Sequence, residues 1–205
     1  FKLGKCIPEY VTFVADQIAT GLARANEEKM GVITAFRQGT ARSTFSVFRR
    51  RMTRGLDIAR LSISRRMIMA PDAKQPIDDR LKLIILSDAH DRPSAVLWSL
   101  PCHAVSESHI QDISSDYPGV IRDYVRSKLG DASLPVLYMP GFSGDIRPAL
   151  KSKWPLHRSR SWVGLAYSFA RRDNTQIKSL ISKLAVTFDQ AWTNAQINKP
   201  INCSD

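Results

Sequence analysis

The sequence predicts an α/β protein in which a mixed sheet is flanked by helices. Three observations predict it: apolar residues at helical spacing near both ends of the chain, two adjacent apolar runs joined by a turn-like segment, and a further apolar run after a central helical segment. The chain has 205 residues, of which 43% are hydrophobic, so it is long enough for one sizeable core. We therefore expect a single α/β unit over residues 1–205.

Helices are predicted where apolar residues recur at helical spacing between start and stop signals. The first begins at Pro8, since proline is favoured in a first helical turn, and extends to about Glu28. The second begins at Asp116, with a proline two residues later, and ends at Gly130. The third covers about residues 175–195. The apolar residues expected on the buried faces are Val11, Val14, Ile18 and Leu22 in the first helix, Ile121, Tyr124, Val125 and Leu129 in the second, and Ile177, Leu180, Ile181, Leu184, Phe188 and Trp192 in the third.

Strands are predicted where short apolar runs are bounded by polar or turn-forming residues. Residues 30–36 form the first such run, after a polar break. Residues 81–89 and 94–102 have the pattern of a β-hairpin that is buried on at least one face. Residues 134–141 form another buried strand, which runs directly into a turn.

The segment from residue 38 to residue 80 is rich in arginine and less regular. We expect a short helix at 45–51 and a proline-bounded loop at 71–76. The formal net charge of the chain is +11, and much of it falls in the stretch 37–66, where Asp57 is the acidic residue. The arginines of this stretch are Arg37, Arg42, Arg49, Arg50, Arg51, Arg54, Arg60, Arg65 and Arg66.

Clustered positive charge favours an anionic partner, and phosphate, carboxylate or an acidic polysaccharide would fit electrostatically. The alternative is a solvated surface that keeps the protein soluble, because net charge alone does not specify a ligand. Nucleic acid is disfavoured as the partner. The segment has no recognised reading motif, and only three phenylalanines lie nearby for base stacking.

The ends of the chain and its cysteines give little further information. No stretch approaches the roughly 20 consecutive apolar residues that span a bilayer, and the first residues lack the regions of a signal peptide. The chain begins with Phe1, so we expect either that a leader was removed or that the chain begins inside a longer product. The three cysteines are widely spaced and fit neither a disulfide framework nor a CxxC metal site.

Two polar loops are the places where chemistry is expected, because each follows a buried strand. The first covers residues 102–119 and the second covers 141–148. From the residues alone the signal is weak. His103 has no HxH or HExxH spacing, Asp116 fits a helix cap, and Asp145 fits a carboxylate that bonds its own turn.

The order of features resembles the catalytic domain of the neutral/alkaline non-lysosomal ceramidases. That order is a helix, an arginine-containing segment, a strand pair, a histidine, an (I/V)SxDxxG motif, a helix, a strand and a GDxxP motif. Here the last features are His103, ISSDYPG at 113–119 and GDIRP at 144–148. The resemblance covers most of the chain, and it implies that the chain is an interior portion of a larger α/β catalytic domain.

The resemblance also implies a metal. The family holds one zinc ion with two histidines, a glutamate and a tyrosine, next to the amide bond that is cleaved. His103 is similar to the second of these histidines. The first belongs to an HxHSGP-type motif, expected before Phe1, and the glutamate and tyrosine are expected beyond Asp205. A companion polypeptide or the rest of a precursor would therefore have to complete the Zn²⁺ site. Family members are mainly secreted, periplasmic or membrane-associated, so an exported location is expected.

One departure from the family pattern bears on the chemistry. The family motif GDVSPN carries the serine assigned as the active-site hydroxyl, and Arg147 stands at that position here. An arginine is a fixed cation that cannot act as this nucleophile, but it can bind a carboxylate or stabilise an oxyanion. Either metal-activated water acts without the serine, or hydrolysis is lost and binding is kept. The candidate catalytic residues are Arg147, Asp145, Asp116 and Ser115, and the candidate substrate contacts are Tyr117, Ser143 and Gly144.

Three functions stay open from the sequence. The first is a zinc-dependent hydrolase of N-acyl amide bonds, acting on a small-molecule or lipid amide. The second is hydrolysis of an ester or another small polar substrate on the same scaffold, because fold does not fix function. The third is a non-catalytic protein that binds a polyanion through the arginine-rich segment and Arg147.

Overall fold

The computed structural model describes residues 6–27, 35–106, 113–159, 161–169 and 174–198. The chain divides into two compact units, residues 1–32 and residues 33–205. The first unit contains helix α1 (Pro8–Glu27), which confirms the first predicted helix, but the predicted buried face is wrong, because no residue of α1 is buried and Val11, Ile18 and Leu22 are each more than half exposed. Its opening turn carries Glu9 and its last turn Arg24, the charges that the helix dipole favours at each end.

The described residues of the second unit form two further helices and a set of short and medium strands. In chain order they are β1 (Ala35–Arg42), β2 (Ser46–Asp57), β3 (Ser62–Asp72), β4 (Arg80–Ser87), β5 (Pro93–Ser99), α2 (Asp116–Leu129), β6 (Val136–Tyr138), β7 (Ile146–Pro148), β8 (His157–Ser159), β9 (Trp162–Gly164), α3 (Asn174–Thr193) and β10 (Gln196–Asn198).

The first sheet has the strand order β10-β1-β4-β5-β6 and is mixed, as predicted. Strands β4 and β5 form the predicted antiparallel hairpin, and β5 pairs in parallel with β6 after the chain has passed through α2. Helices α2 and α3 pack with this sheet around one apolar core. The largest side chains of that core are Trp98, Tyr117, Phe45 and Phe188, all almost completely buried.

The second sheet has the order β3-β2-β9-β8, and β7 also pairs with β2. The helix predicted at 45–51 is wrong, because most of this stretch lies in strand β2. From Arg50 to Leu56, exposed residues alternate with half-buried ones, which is the period of a strand with one solvated face. Gly55 is required where β2 passes β9, because a Cβ atom at this position would collide with the Trp162 ring.

The remaining differences from the predicted elements are local. Of the strand predicted at 30–36, residues 30–34 lie outside the described residues, and β1 begins at Ala35. The turn predicted at 141–148 ends in strand β7. Leu129, predicted on the buried face of α2, is exposed because it is the last residue of the helix before Gly130, whose φ of 68° is left-handed. Within the part of the chain that is described, no helix combines the length and apolar character needed to cross a membrane.

Candidate active site

The two loops that carry the ceramidase-like motifs meet in the structure. The backbone N–H of His103 donates to the carbonyl oxygen of Ile146 at 3.2 Å, and His103 Nε2 lies 3.3 Å from the carbonyl oxygen of Gly144. Because a carbonyl oxygen only accepts, the second contact requires a proton on Nε2. Nδ1 is then the nitrogen with the free lone pair in the neutral ring.

Asp116 lies at the start of α2 in an unusual backbone conformation and binds groups of the protein itself. Its φ of 51° falls in the left-handed region, and its backbone N–H donates to Ser114 Oγ at 2.9 Å. Its carboxylate accepts hydrogen bonds from the backbone N–H of Ser106 at 2.8 Å, from the Ser106 hydroxyl, and from the backbone N–H of Tyr117 at 2.7 Å. Asp116 is 9% exposed, so these hydrogen bonds are buried. They connect Ser106, at the end of the 102–106 segment, to the first residues of α2.

Tyr117 is placed in the core, with 0% of its surface exposed, and thus offers no surface to a substrate in this conformation. Its hydroxyl donates to the Cys102 carbonyl oxygen at 3.0 Å and lies 2.6 Å from the Tyr138 hydroxyl. Burial is the largest cause that raises the pKa of Tyr117, and burial also raises the pKa of Tyr138 to about 12. Both phenols therefore stay protonated at neutral pH. We call Cys102, Ser106, Asp116, Tyr117 and Tyr138 the hydroxyl–carboxylate cluster.

Asp145 forms an ion pair with two arginines of strand β2. Its carboxylate oxygen Oδ1 lies 2.6 Å from Arg50 Nε and 3.2 Å from Arg49 Nε. The hydrogen bond from Arg50 is the largest cause that lowers the pKa of Asp145, and the bond from Arg49 acts in the same direction. The backbone carbonyl of Asp145 also accepts the Arg49 N–H at 2.8 Å, so the GDIRP segment is held against β2 at both main chain and side chain.

Arg147 lies on β7 opposite Val47, and its guanidinium contacts apolar groups. Its Cζ lies 4.8 Å from the centre of the Phe169 ring, and its Nη1 lies 3.2 Å from the Met69 sulfur. Among the described residues no carboxylate pairs with Arg147. Burial is the main cause that lowers the pKa of Arg147, and the neighbouring charge of Arg49 adds to it. An arginine stays charged in proteins, so an anion at this position would relieve both effects.

Arg49, Arg50, Asp145 and Arg147 together form what we call the arginine cluster. It contains three guanidinium groups and one carboxylate. In the described part of the chain the cluster therefore has an excess of positive charge next to the motif loops. Such an arrangement can bind a carboxylate, a phosphate or a developing oxyanion.

The remaining candidate residues of the two motif loops are Ser115, Ser143 and Gly144. Ser115 precedes α2 as its N-cap residue without a side-chain capping bond, and it is exposed. Gly119 packs so closely on Ser115 that a Cβ atom there would overlap the Ser115 hydroxyl. The Ser143 carbonyl accepts the Ile146 N–H at 2.9 Å, and the space that a Cβ atom would occupy at Gly144 is open. The candidate roles of Ser115, Ser143 and Gly144 stay predictions.

The residues near His103 do not by themselves suit a zinc ion. Within the described residues no group of three or more His, Cys, Asp or Glu side chains converges as metal ligands. Burial raises the pKa of the neighbouring Cys102 thiol to about 12, so this thiol is neutral in the metal-free protein. Of the described motif residues, His103 is the one whose side chain has a nitrogen lone pair that could bind the metal. Any further ligands would have to come from outside the described residues.

Several residues of the site are not singled out by the sequence. The sequence presents Arg49 and Arg50 only as positive charge, although they hold Asp145, and it gives no indication of Ser106 or Tyr138. Along β2, consecutive arginines hide any alternation of polar and apolar residues, so the sequence gives no clear signal that Arg49 and Arg50 lie on a strand. No local sequence signal connects Ser106 to Asp116 or Tyr138 to Tyr117, because these contacts depend on the tertiary fold.

Comparison with known proteins shows a shared fold. No family model matches the chain, and no curated protein matches its sequence. The mixed α/β unit is, however, the fold of a portion of the neutral ceramidases. The solved neutral ceramidase from Pseudomonas aeruginosa matches with a TM-score of 0.50 and 15% identity over 78% of this chain. A second structure, a ceramidase complexed with C2, matches with a TM-score of 0.50 and 13% identity over 78% of this chain.

The match has a limited extent on the side of the ceramidases. The chain spans 22% of the length of each of the two solved structures. At these identities the likeness concerns the fold, and it supports the predicted resemblance to a ceramidase-like portion. The interpretation of residues 1–205 as part of a larger catalytic domain stays a prediction.

Proposed function

We propose that the chain is an interior portion of a hydrolase that cleaves N-acyl amide bonds, as in a ceramidase. One observation carries the proposal: on a ceramidase-like fold, the His103 ring and the GDIRP segment lie in contact, 3.3 Å apart at Gly144. These are two of the three short features on which the resemblance rests, the third being ISSDYPG at 113–119. A lipid amide is the substrate class that this resemblance favours, and an ester on the same scaffold is the alternative.

The chain's own residues have distinct parts in this proposal. Asp145 holds Arg49 and Arg50 beside the loop, and Arg147 presents a charge that has no carboxylate partner among the described residues. Arg147 is suited to bind the oxyanion that develops when an amide carbonyl is attacked. His103 supplies one zinc ligand, and the other donors come from outside these residues, through a companion polypeptide or further parts of the same protein. An exported location belongs to the same proposal.

The test compares His103→Ala with His90→Ala in the protein as purified, with any polypeptide that accompanies it. His90 is a matched control because it is an exposed histidine in the turn before β5, whereas His103 follows the other end of that strand. We expect near-stoichiometric zinc and hydrolysis of a short-chain N-acyl sphingosine in the unaltered protein and in His90→Ala. Both should be lost in His103→Ala. Zinc that persists in His103→Ala, or equal hydrolysis by both variants, would contradict the proposal.

The arginine cluster supports a second candidate function, which is anion binding without hydrolysis. The specific observation is the half-buried Arg147, whose charge is disfavoured by burial and by Arg49. Arg147→Met keeps a side chain of similar length without the charge, and Arg92→Met removes an exposed arginine elsewhere. If this function holds, tripolyphosphate binding should weaken about fivefold or more in Arg147→Met only, and it should weaken with added salt. Equal binding by both variants would exclude Arg147 from an anion site.

A further inference from the structure

The β2–β3 hairpin has one face on which arginines and large apolar side chains are both exposed. The two strands are antiparallel, and their cross-strand pairs on this face are Arg50 with Met69, Met52 with Met67, Arg54 with Arg65, and Leu56 with Ile63. All of these side chains are exposed. We call these residues, with Ile58, Arg60 and Leu61 at the turn, the hairpin face.

The apolar part of this face is too extensive for isolated surface residues. Ile63 is 79% exposed, Leu61 is 84% exposed, and Met52, Met67 and Met69 are each more than half exposed. The opposite face of the hairpin packs inside the protein, where Ile68 and Ala70 belong to a buried cluster with the Trp162 ring. Large exposed apolar side chains gathered on one face, on both sides of the Arg54–Arg65 pair, mark a site of association with another surface.

The charges of the face indicate what that surface carries. Arg54 and Arg65 lie directly opposite each other, and a like-charged pair in this position destabilises a hairpin. No ion pair involves either arginine within residues 6–27, 35–106, 113–159, 161–169 and 174–198. The acidic residue next to the turn, Asp57, points to the other face, where it is 3% exposed and pairs with Arg66 at 2.6 Å. The face is therefore complementary to negative charge.

We propose that the hairpin face docks on an anionic lipid surface. Apolar side chains next to a set of arginines are the combination that holds a protein at a bilayer interface, since the apolar groups enter the headgroup region while the arginines meet anionic headgroups. The apolar turn residues Ile58 and Leu61 are the part that enters deepest. A soluble polyanion would use the arginines but gain nothing from exposed Leu61 and Ile63.

The hairpin face lies next to the candidate active site, which is a further reason to propose that it docks on a lipid surface. Met69 belongs to the face and contacts Arg147, and Arg50 belongs to the face and holds Asp145. The docked surface would thus lie beside the arginine cluster. Docking does not depend on the proposed hydrolysis, and it is measured without turnover, so either proposal can fail while the other stands.

The experiment is flotation of the full chain with vesicles of phosphatidylcholine, with and without about a third phosphatidylserine, at low and high salt. The first variant is Arg54→Glu, which turns the like-charged pair with Arg65 into an opposite-charged pair and so should not weaken the fold. The control is Lys178→Glu, an equal change of charge at an exposed residue of α3. The second variant is Leu61→Ser with Ile63→Ser, and each protein is checked by its thermal unfolding.

The unaltered protein should bind the anionic vesicles and should be released by high salt. Arg54→Glu should bind about fivefold or more weakly, while Lys178→Glu should stay within about twofold. The serine double variant should lose binding while its melting temperature is kept.

Three results would overturn the proposal. The first is equal binding by Arg54→Glu and Lys178→Glu. The second is binding to heparin and vesicles that is unaffected by the serine substitutions, which would indicate a soluble polyanion. The third is a dimer of the protein alone that dissociates in the serine double variant, which would assign the face to a second copy.

Discussion

The hydroxyl–carboxylate cluster and the arginine cluster lie on neighbouring segments, but they differ in how completely their polar side chains are paired within the protein. In the first, the buried Asp116 carboxylate and the Tyr117 hydroxyl are satisfied by Ser106, Cys102 and Tyr138. In the second, one carboxylate serves two arginines and the guanidinium of Arg147 rests against Phe169 and Met69. The contacts of the first cluster stabilise the fold, whereas the second contains Arg147, whose charge has no carboxylate partner among the described residues and is the basis of the proposed anion site.

This difference makes Arg147 a better candidate for a chemical role than Asp116 or Tyr117. Asp116 and Tyr117 stand in the ISSDYPG motif, but their contacts hold the loop and the start of α2. Arg147 stands where the family motif has a serine, and no carboxylate in the described part of the chain neutralises it. Polar groups that are fully bonded inside a protein specify structure, while incompletely paired ones are more often kept for function.

The largest expected effect concerns the hydroxyl–carboxylate cluster. Asp116→Ala should lower the free energy of unfolding by about 3 kcal/mol or more, because three buried donors lose a charged acceptor and alanine is strained at a positive φ. Asp116→Asn should lose less, since asparagine tolerates this φ and keeps one acceptor oxygen. Urea denaturation of each variant measures these changes.

A matched control exists in the turn after α2. Asp131 also accepts from a serine backbone N–H, at 2.8 Å, and from the same serine hydroxyl, at 2.6 Å, but it is exposed. Asp131→Ala should therefore cost at most about 1 kcal/mol, because water replaces the lost partner. Equal losses at the two aspartates would mean that burial does not increase the contribution of Asp116 to stability.

The parts of this comparison differ in how well the sequence predicts them. Helix α1, the hairpin of β4 and β5, and α2 with its end at Gly130 follow from periodicity and turn residues, which are local signals. Strand β2 is not predicted, because its arginines hide the alternation of exposed and half-buried positions. Long arginine side chains are compatible with either face of a strand, so the hydrophobic period alone is a weak guide there.

The candidate site is predictable only in part. The motifs point to His103, Asp145 and Arg147, and His103 does contact Gly144 and Ile146, the chain neighbours of the other two. The partners of Asp145 come from a strand that lies 95 and 96 positions away in the chain, and no local pattern encodes such a contact. The role of Tyr117 as a core residue likewise depends on packing against Phe45 and Trp98.

A smaller effect is expected at Tyr117. Tyr117→Phe removes a hydroxyl that bonds the Cys102 carbonyl and Tyr138, and the loss should be about 1 kcal/mol because Tyr138 still bonds the same carbonyl at 3.1 Å. Tyr167→Phe, at a partly exposed tyrosine, should change the free energy of unfolding by less than about 0.5 kcal/mol. Anion binding should be unchanged in both. A loss of anion binding in Tyr117→Phe would join the two clusters into one functional site.

The smallest effect is a pH dependence at the arginine cluster. Arg50 and Arg49 lower the pKa of Asp145 in the folded state below its unfolded value of about 3.9. A lowered pKa gives stability that is fully present above the unfolded value and is lost as the pH falls through the folded value. The difference in unfolding free energy between the unaltered protein and Asp145→Asn should therefore shrink as the pH falls below the unfolded value of about 3.9. The change should be modest, because the ion pair is solvent-exposed and screened by salt.

The same experiment identifies the partner of Asp145. In Arg50→Gln, the further substitution Asp145→Asn should have less effect and less pH dependence than in the unaltered protein, because the closer arginine is gone. Repeating the series in about 0.5 M salt should reduce all of these differences. If Asp145→Asn instead changed stability equally at every pH, the carboxylate would act through shape rather than charge. Asp145 and its arginines would then contribute to stability in the same way as the hydroxyl–carboxylate cluster. Arg147 alone would then support an anion-binding site.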